Sequence, residues 1–180
     1  MKNFWHPLIA GLTLACALMP ASAQSNYPDK PLRMVVGFAP GGGTDILARI
    51  VATPLSQRLS QSVIVENVPG ASGAIAASRV KNAAADGYSL LIGASGAMAI
   101  NPAVDSKLPY DPVQDFAPIT VLGTYPIIFS AKNDLPVKTT QELITRAKAA
   151  PGVLNYGGAG VLFHLTGELF NQQAGVSMTF

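Results

Sequence analysis

Residues 32–38 (LRMVVGF) form a short run rich in Val and Met that stops at Ala39-Pro40-Gly41-Gly42-Gly43. A helical pattern follows over residues 44–59, with apolar side chains at Ile46, Leu47, Ile50, Val51, Leu55 and Leu59. This unit of strand, glycine turn and helix constrains the fold more than any other feature. Pro54 lies inside the helical pattern and removes a bond to the Ile50 carbonyl, so a kink or an early end is expected there. Residues 62–66 (SVIVE) give a second strand, Pro69-Gly70 a turn, residues 72–82 a helix, Asp86-Gly87 a turn and residues 88–92 (YSLLI) a third strand. The order βαβαβ predicts an α/β fold in which helices pack on a parallel sheet.

Past Gly93 the pattern changes. Residues 101–118 hold four prolines and three aspartates, which reads as a crossing segment and a domain boundary. Two apolar stretches follow at 119–122 and 127–131. Residues 139–150 predict a helix opened by a capping box, Thr139 with Glu142, and closed by Pro151-Gly152. Asn155-Tyr156-Gly157-Gly158-Ala159-Gly160 is a further glycine turn, leading into a helix over 163–174.

The first 23 residues read as a leader. Lys2 supplies a positive start, residues 8–19 an apolar core and Ala21-Ser22-Ala23 a cleavage signal. Twelve apolar residues are too few to cross a hydrocarbon layer of about 30 Å. Thr13-Leu14-Ala15 before Cys16 lacks the order of a lipobox, which weighs against lipidation. The expected organisation is thus a signal peptide at 1–23, a first α/β domain at 24–100, and at 101–180 a crossing segment with the start of a second α/β domain.

Removing the leader would leave 157 of the 180 residues, without Cys16 and His6. With no cysteine and only His164 left, a disulfide framework, a thiolate nucleophile and a multi-histidine metal site are all excluded. Export would also separate the chain from cytosolic ATP and NAD, so no cofactor is expected. Twelve basic residues against ten acidic ones, mixed along the chain, leave no basic face for nucleic acid.

Two places carry chemistry. In Pro40-Gly41-Gly42-Gly43-Thr44-Asp45, the glycines bring backbone N–H groups close to a ligand, and the helix start adds unpaired donors and a partial positive charge. That suits an anion. A tight turn with Thr44 or Asp45 merely capping the helix fits the spacing equally well. Consecutive glycines without a following Gly-Lys-Ser/Thr match neither a P-loop nor a dinucleotide fingerprint. The second place, Gly93-Ala94-Ser95-Gly96-Ala97, resembles a nucleophile elbow except at Ala97. A secreted serine hydrolase would need His164 as its base. Ser95 reads better as a hydroxyl donor to a ligand or a helix cap, and His164 as a cap or a satisfied histidine.

An ordered set of motifs carries a resemblance: Tyr27-Pro28-Asp29-Lys30-Pro31-Leu32-Arg33, Phe38-Ala39-Pro40-Gly41-Gly42-Gly43-Thr44-Asp45, Val65-Glu66-Asn67 with Pro69-Gly70-Ala71, Asp86-Gly87-Tyr88, Asn101-Pro102, Leu108-Pro109-Tyr110-Asp111-Pro112, Asp115-Phe116-Ala117-Pro118 and Gly167-Glu168-Leu169-Phe170. Over residues 27–178 the chain resembles the substrate-binding receptors of tripartite tricarboxylate transporters, the Bug family. The resemblance implies a periplasmic clamshell of two α/β domains that captures a small carboxylate and delivers it to membrane transporter subunits, without catalysis. It also implies a site made of Phe38, Pro40, Gly41, Gly42, Gly43, Thr44 and Asp45, with Ser95 and Gly96 beside them and Gly158, Ala159 and His164 in a facing loop. Val161-Leu162-Phe163 is shorter and more apolar than the family's Ser/Thr-rich stretch there. The chain stops at Phe180, short of the family's usual length, so a fragment is expected, which leaves open a non-binding remnant.

Overall fold

The computed structural model describes residues 27–180; the leader reading, with Cys16 and His6, lies outside the described residues. Three strands form one parallel sheet: β1 (Leu32–Val36), β2 (Val63–Asn67) and β3 (Ser89–Ile92), in the order β2-β1-β3. The most apolar run takes the centre, because a parallel strand covered on both faces must bury consecutive side chains. Leu32, Met34, Val35 and Val36 are all buried, and only Arg33 reaches out, 3.6 Å from Glu66.

Register follows the period of two. Met34 stands beside Val65 and Leu90, and Val36 stands beside Ile92. These side chains share one face with Ala48 and Ala52 of α1 (Gly43–Leu59), where Val51 and Leu55 fill in. Leu91, one residue out of step, meets the other cluster, which contains Ala74 and Ala77 of α2 (Ala74–Lys81) and the buried ring of Tyr110. Helices therefore cover both faces of the sheet, as the βαβαβ order predicts.

Several local expectations need correction. α1 does not end at Pro54 but runs on to Leu59, with Ser60 in the left-handed conformation as its C-cap. Its buried stripe is Thr44, Ala48 and Ala52, while Ile46 and Ile50 face outward. Alanines let the helix approach the sheet closely, and the isoleucines then have no room beneath it. The helix expected from Ser72 begins at Ala74. It is preceded by a 3₁₀ turn (Ala71–Gly73) in which Ala71 and Ser72 both have positive φ. After β3 the chain winds through a π-helix (Gly96–Ile100) into the four-residue α3 (Asn101–Val104).

The proline-rich segment after α3 is anchored rather than free. The Tyr110 hydroxyl donates to the Ala97 carbonyl (2.6 Å), Tyr110 meets Phe116 edge to face, and Lys81 pairs with Asp115 at 2.9 Å. The apolar stretches around 119–131 form no strand, and Ile119, Val121 and Ile128 are at least three-quarters exposed. Beyond them, α4 (Thr140–Ala149) starts as the capping box predicts: the Glu142 N–H donates to Thr139 Oγ1, while the Glu142 carboxylate takes the Lys138 N–H. α5 (Val161–Ala174) begins two residues earlier than expected. Asn171, buried in α5, exchanges two hydrogen bonds with the backbone of Met178 and so holds the last residues, which form a parallel bridge from Thr179 to Asn155. Among the described residues, no helix is long and apolar enough to cross a membrane.

Candidate functional site

The turns after β1 and β3 are brought side by side because both strands point the same way and are hydrogen-bonded neighbours. Ligand crevices of open α/β sheets form at such carboxyl ends. A cavity of about 350 Å³ lies there, and its lining includes Thr44 and Leu47 from α1, the segment from Gly93 to Ser95, and Leu162 from α5. Residues 120–125 complete the lining with Thr120, Val121, Leu122, Gly123, Thr124 and Tyr125.

Asp45 explains why the first turn has its shape. Its carboxylate is almost fully buried and accepts the Gly41 N–H (2.9 Å), an Asn67 side-chain N–H (2.9 Å) and the Arg49 guanidinium (2.9 Å). The Arg49 guanidinium, first of all, then the Gly41 N–H and Asn67 hold the Asp45 carboxyl well below the usual carboxylate range. Asn67 also donates to the Phe38 carbonyl (3.0 Å), so one amide ties the end of β2 to both sides of the glycine turn. Gly41 sits at φ +83°, which a side chain would strain. The Asp45 carboxylate is thus committed to ordering the turn, and its charge is offset by Arg49.

The amides of Gly43, Thr44 and Asp45 occupy the first turn of α1, where no intrahelical acceptor exists. The N-cap Gly42 contributes no side chain to satisfy them. Pro40, Gly41, Gly42 and Gly43 are exposed and none of them lines the cavity, while Phe38 is half-buried against the sheet and α1. Of the expected site residues, Thr44 and Ser95 line the cavity itself. Ser95 is exposed at the start of the π-helix and makes no side-chain cap bond there, whereas Gly96 is buried against the Ser72 carbonyl.

The second loop is arranged differently from the expectation. Gly158 packs on Phe163, and Ala159 is exposed. The His164 ring stacks on Phe180 (4.5 Å between centroids), with its Nε2 3.8 Å from Glu168. Neither Gly158, Ala159 nor His164 lines the cavity, and no hydrogen bond joins His164 to Ser95, the pair that a hydrolase would need. Next to it, burial first and then the Glu168 carboxylate push the Tyr156 hydroxyl up to about 12.

Three contributors escaped the sequence reading. Arg49 and Asn67 order the first turn. Ser72, left-handed at φ +53°, accepts the Val161 N–H at 3.1 Å with its hydroxyl and so caps the start of α5. The only sequence signal for Ser72 was a hydroxyl residue inside the glycine turn at 70–73.

The pH dependence of stability follows from Asp45. A depressed carboxyl contributes stability above its ordinary value of 3.8 and loses it as pH falls below that value. Melting temperature is therefore expected to drop below about pH 4. Asp45→Asn should flatten part of that drop, the remainder belonging to Asp86, held down by the Tyr88 N–H and Lys30, and to Asp115, held down by the Asp111 N–H and Lys81. Melts across pH for both proteins check it; identical acid profiles would contradict it.

Known proteins resemble this chain in sequence and in fold. Residues 47–180 match the family described as tripartite tricarboxylate transporter family receptor. A UPF0065 protein of Cupriavidus necator is 41% identical over 174 residues, covering 94% of this chain and 52% of its own. Protein BugT of Bordetella pertussis is 34% identical, with 94% and 53% covered. Among solved structures, an R. palustris protein with adipate superposes with a TM-score of 0.81 at 40% identity, covering 85% of this chain and 52% of that one. MatC from Rhodopseudomonas palustris with bound malate gives 0.75 at 33% identity, with 85% and 53% covered. The chain spans about half the length of the curated relatives it matches. With its parallel sheet, flanking helices and paired turns at the strand ends, the chain belongs to the tripartite tricarboxylate transporter receptor family of solute-binding proteins.

Proposed function

We propose that this chain binds a small carboxylate and passes it to the membrane subunits of a tripartite tricarboxylate transporter, working in the periplasm after loss of residues 1–23. The observation that carries the reading is the cavity at the ends of β1 and β3, lined by the hydroxyl residues Thr44 and Ser95 next to the first turn of α1, whose amides have no intrahelical acceptor. Amides aimed at an anion without a nucleophile and base beside them favour holding over turnover. The relatives solved with adipate and malate support a carboxylate as the ligand.

In this reading, residues 24–100 form the first domain and residues 101–180 contribute to the second. Asp45 is a positioning residue. It aims the amides around Gly42 without touching the ligand, since two carboxylates would repel. Gly158, Ala159 and His164 belong to the loop that closes from the second domain, because each side supplies only part of the donor set. Ser72, already bonded to Val161, marks where the two sides meet.

A ligand that binds the native state alone raises its melting point. Across a panel of small mono-, di- and tricarboxylates, at least one is expected to raise the melting temperature by several degrees. If none does at a thousandfold excess, the chain is a non-binding remnant of a receptor.

A further inference from the structure

Five hydroxyl side chains line the cavity: Thr44 from α1, Ser95 from the turn after β3, and Thr120, Thr124 and Tyr125 from a single stretch of six residues. Among the described residues, none of the five hydroxyls bonds to another protein group, and Ser95 makes no cap bond. Thr44 is only 9% exposed, yet its hydroxyl is not sealed off, so the exposure it keeps faces the cavity it lines. Residues 120–125 are held in place from both ends. Gly123 lies against Leu47, where a Cβ would stand 3.7 Å from the nearest Leu47 methyl, and Leu47 is one helical turn from Thr44. Phe129 packs on Phe170 of α5, with 5.1 Å between ring centroids.

One carboxylate offers about four lone-pair sites, which the first-turn amides and the hydroxyls of Thr44 and Ser95 suffice to fill. Thr120, Thr124 and Tyr125 are then left over. A ligand body without polar atoms would displace water from their hydroxyls and give no hydrogen bond in return. A ligand hydroxyl both donates and accepts, and so restores the pairing. Among the described residues that line the cavity none carries a charge, so acids of equal charge are told apart there by hydrogen bonding and shape. Resting on the receptor reading above, we infer that Thr120, Thr124 and Tyr125 read a hydroxyl on the body of the bound acid, so that a hydroxycarboxylate is preferred to its deoxy counterpart of equal charge. One net hydrogen bond makes that preference about fivefold to tenfold in affinity.

Calorimetric titration of the purified protein with propionate and lactate, succinate and malate, and tricarballylate and citrate tests the inference, since the members of each pair differ by one hydroxyl. In any pair that binds, the hydroxylated acid is expected to bind about fivefold to tenfold more tightly. Thr120→Val, Thr124→Val and Tyr125→Phe each delete a hydroxyl with little change of shape, and combined they should bring that ratio close to one. All three positions are exposed, and circular dichroism melts confirm that the combined variant is folded. Equal affinity within the pairs, or tighter binding of the deoxy acids, would overturn the hydroxyl preference and leave the receptor reading standing. So would a melting shift in the wider panel when none of these six acids binds. A preference that survives in the combined variant would overturn the role of residues 120–125. Heats indistinguishable from dilution for all six acids, together with no melting shift in the wider panel, would overturn both readings.

Discussion

Gly37→Val is expected to destabilise the protein by about 3 kcal/mol, at the upper end of overpacking costs, and to lower the melting temperature by on the order of 10 °C. Gly37 follows β1, and a Cβ built there would stand 2.7 Å from the Cα of Gly73 and 3.3 Å from the Cβ of Ala76. The nearest atom is backbone, so no side chain can swing aside to make room. Gly73 is itself wedged, at φ +95°, with its own missing Cβ 3.2 Å from Ala97. The end of β1, the 3₁₀ turn before α2 and the start of the π-helix are thus stacked with nothing between them. Any branched side chain at Gly37 forces the turn away from the sheet. Gly43→Ala serves as the comparison, because nothing lies within 4 Å of its Cβ position and its φ is ordinary. Urea or thermal melts decide the matter; a Gly37→Val protein as stable as Gly43→Ala would show that the close approach is not real.

The second large effect falls on binding. Gly42 has φ −75° and ψ 162°, extended geometry open to any residue, and its nearest neighbour would be the Ala39 carbonyl at 3.5 Å, an ordinary contact. Gly42→Val should therefore fold, at a cost of about 1 kcal/mol for a poorer N-cap. The branched side chain would nevertheless stand in front of the amides of Gly43 and Thr44. Affinity for whichever carboxylate binds the wild type is expected to fall by about a hundredfold, which corresponds to roughly 2.7 kcal/mol. Gly42→Ala, smaller, should retain part of it. Unchanged affinity in a folded Gly42→Val protein would remove the first turn from the site.

Much of this was legible in the sequence. Alternation of strand, glycine turn and helix through residues 32–92 places Met34, Val36 and Leu90 in one layer and predicts parallel pairing, because local period and turn chemistry agree there. The Thr139–Glu142 cap is equally local. Where tertiary packing decides, sequence reasoning failed. Ile46 and Ile50 are as apolar as any residue in α1, yet Ala48 and Ala52 take the inner face because the sheet demands close approach. Asp45 carries the signature of a helix-start residue or an anion-site neighbour. Only its contacts with Gly41, Arg49 and Asn67, the last more than twenty residues away, reveal it as the strut of the turn. His164 is the one histidine after residue 23, and its stacking on Phe180 depends on a partner sixteen residues later in the chain.

The most direct test of carboxylate gripping by main-chain amides is an amide-resolved NMR titration of the isotope-labelled protein with the tightest acid of the panel. Saturable shifts are predicted at Gly42, Gly43 and Thr44 and at Gly93 to Ser95, with the cluster of Tyr27, Lys30 and Asp86 on the far surface unmoved. Saturable shifts confined to residues away from both turns, with those amides silent, would contradict the account.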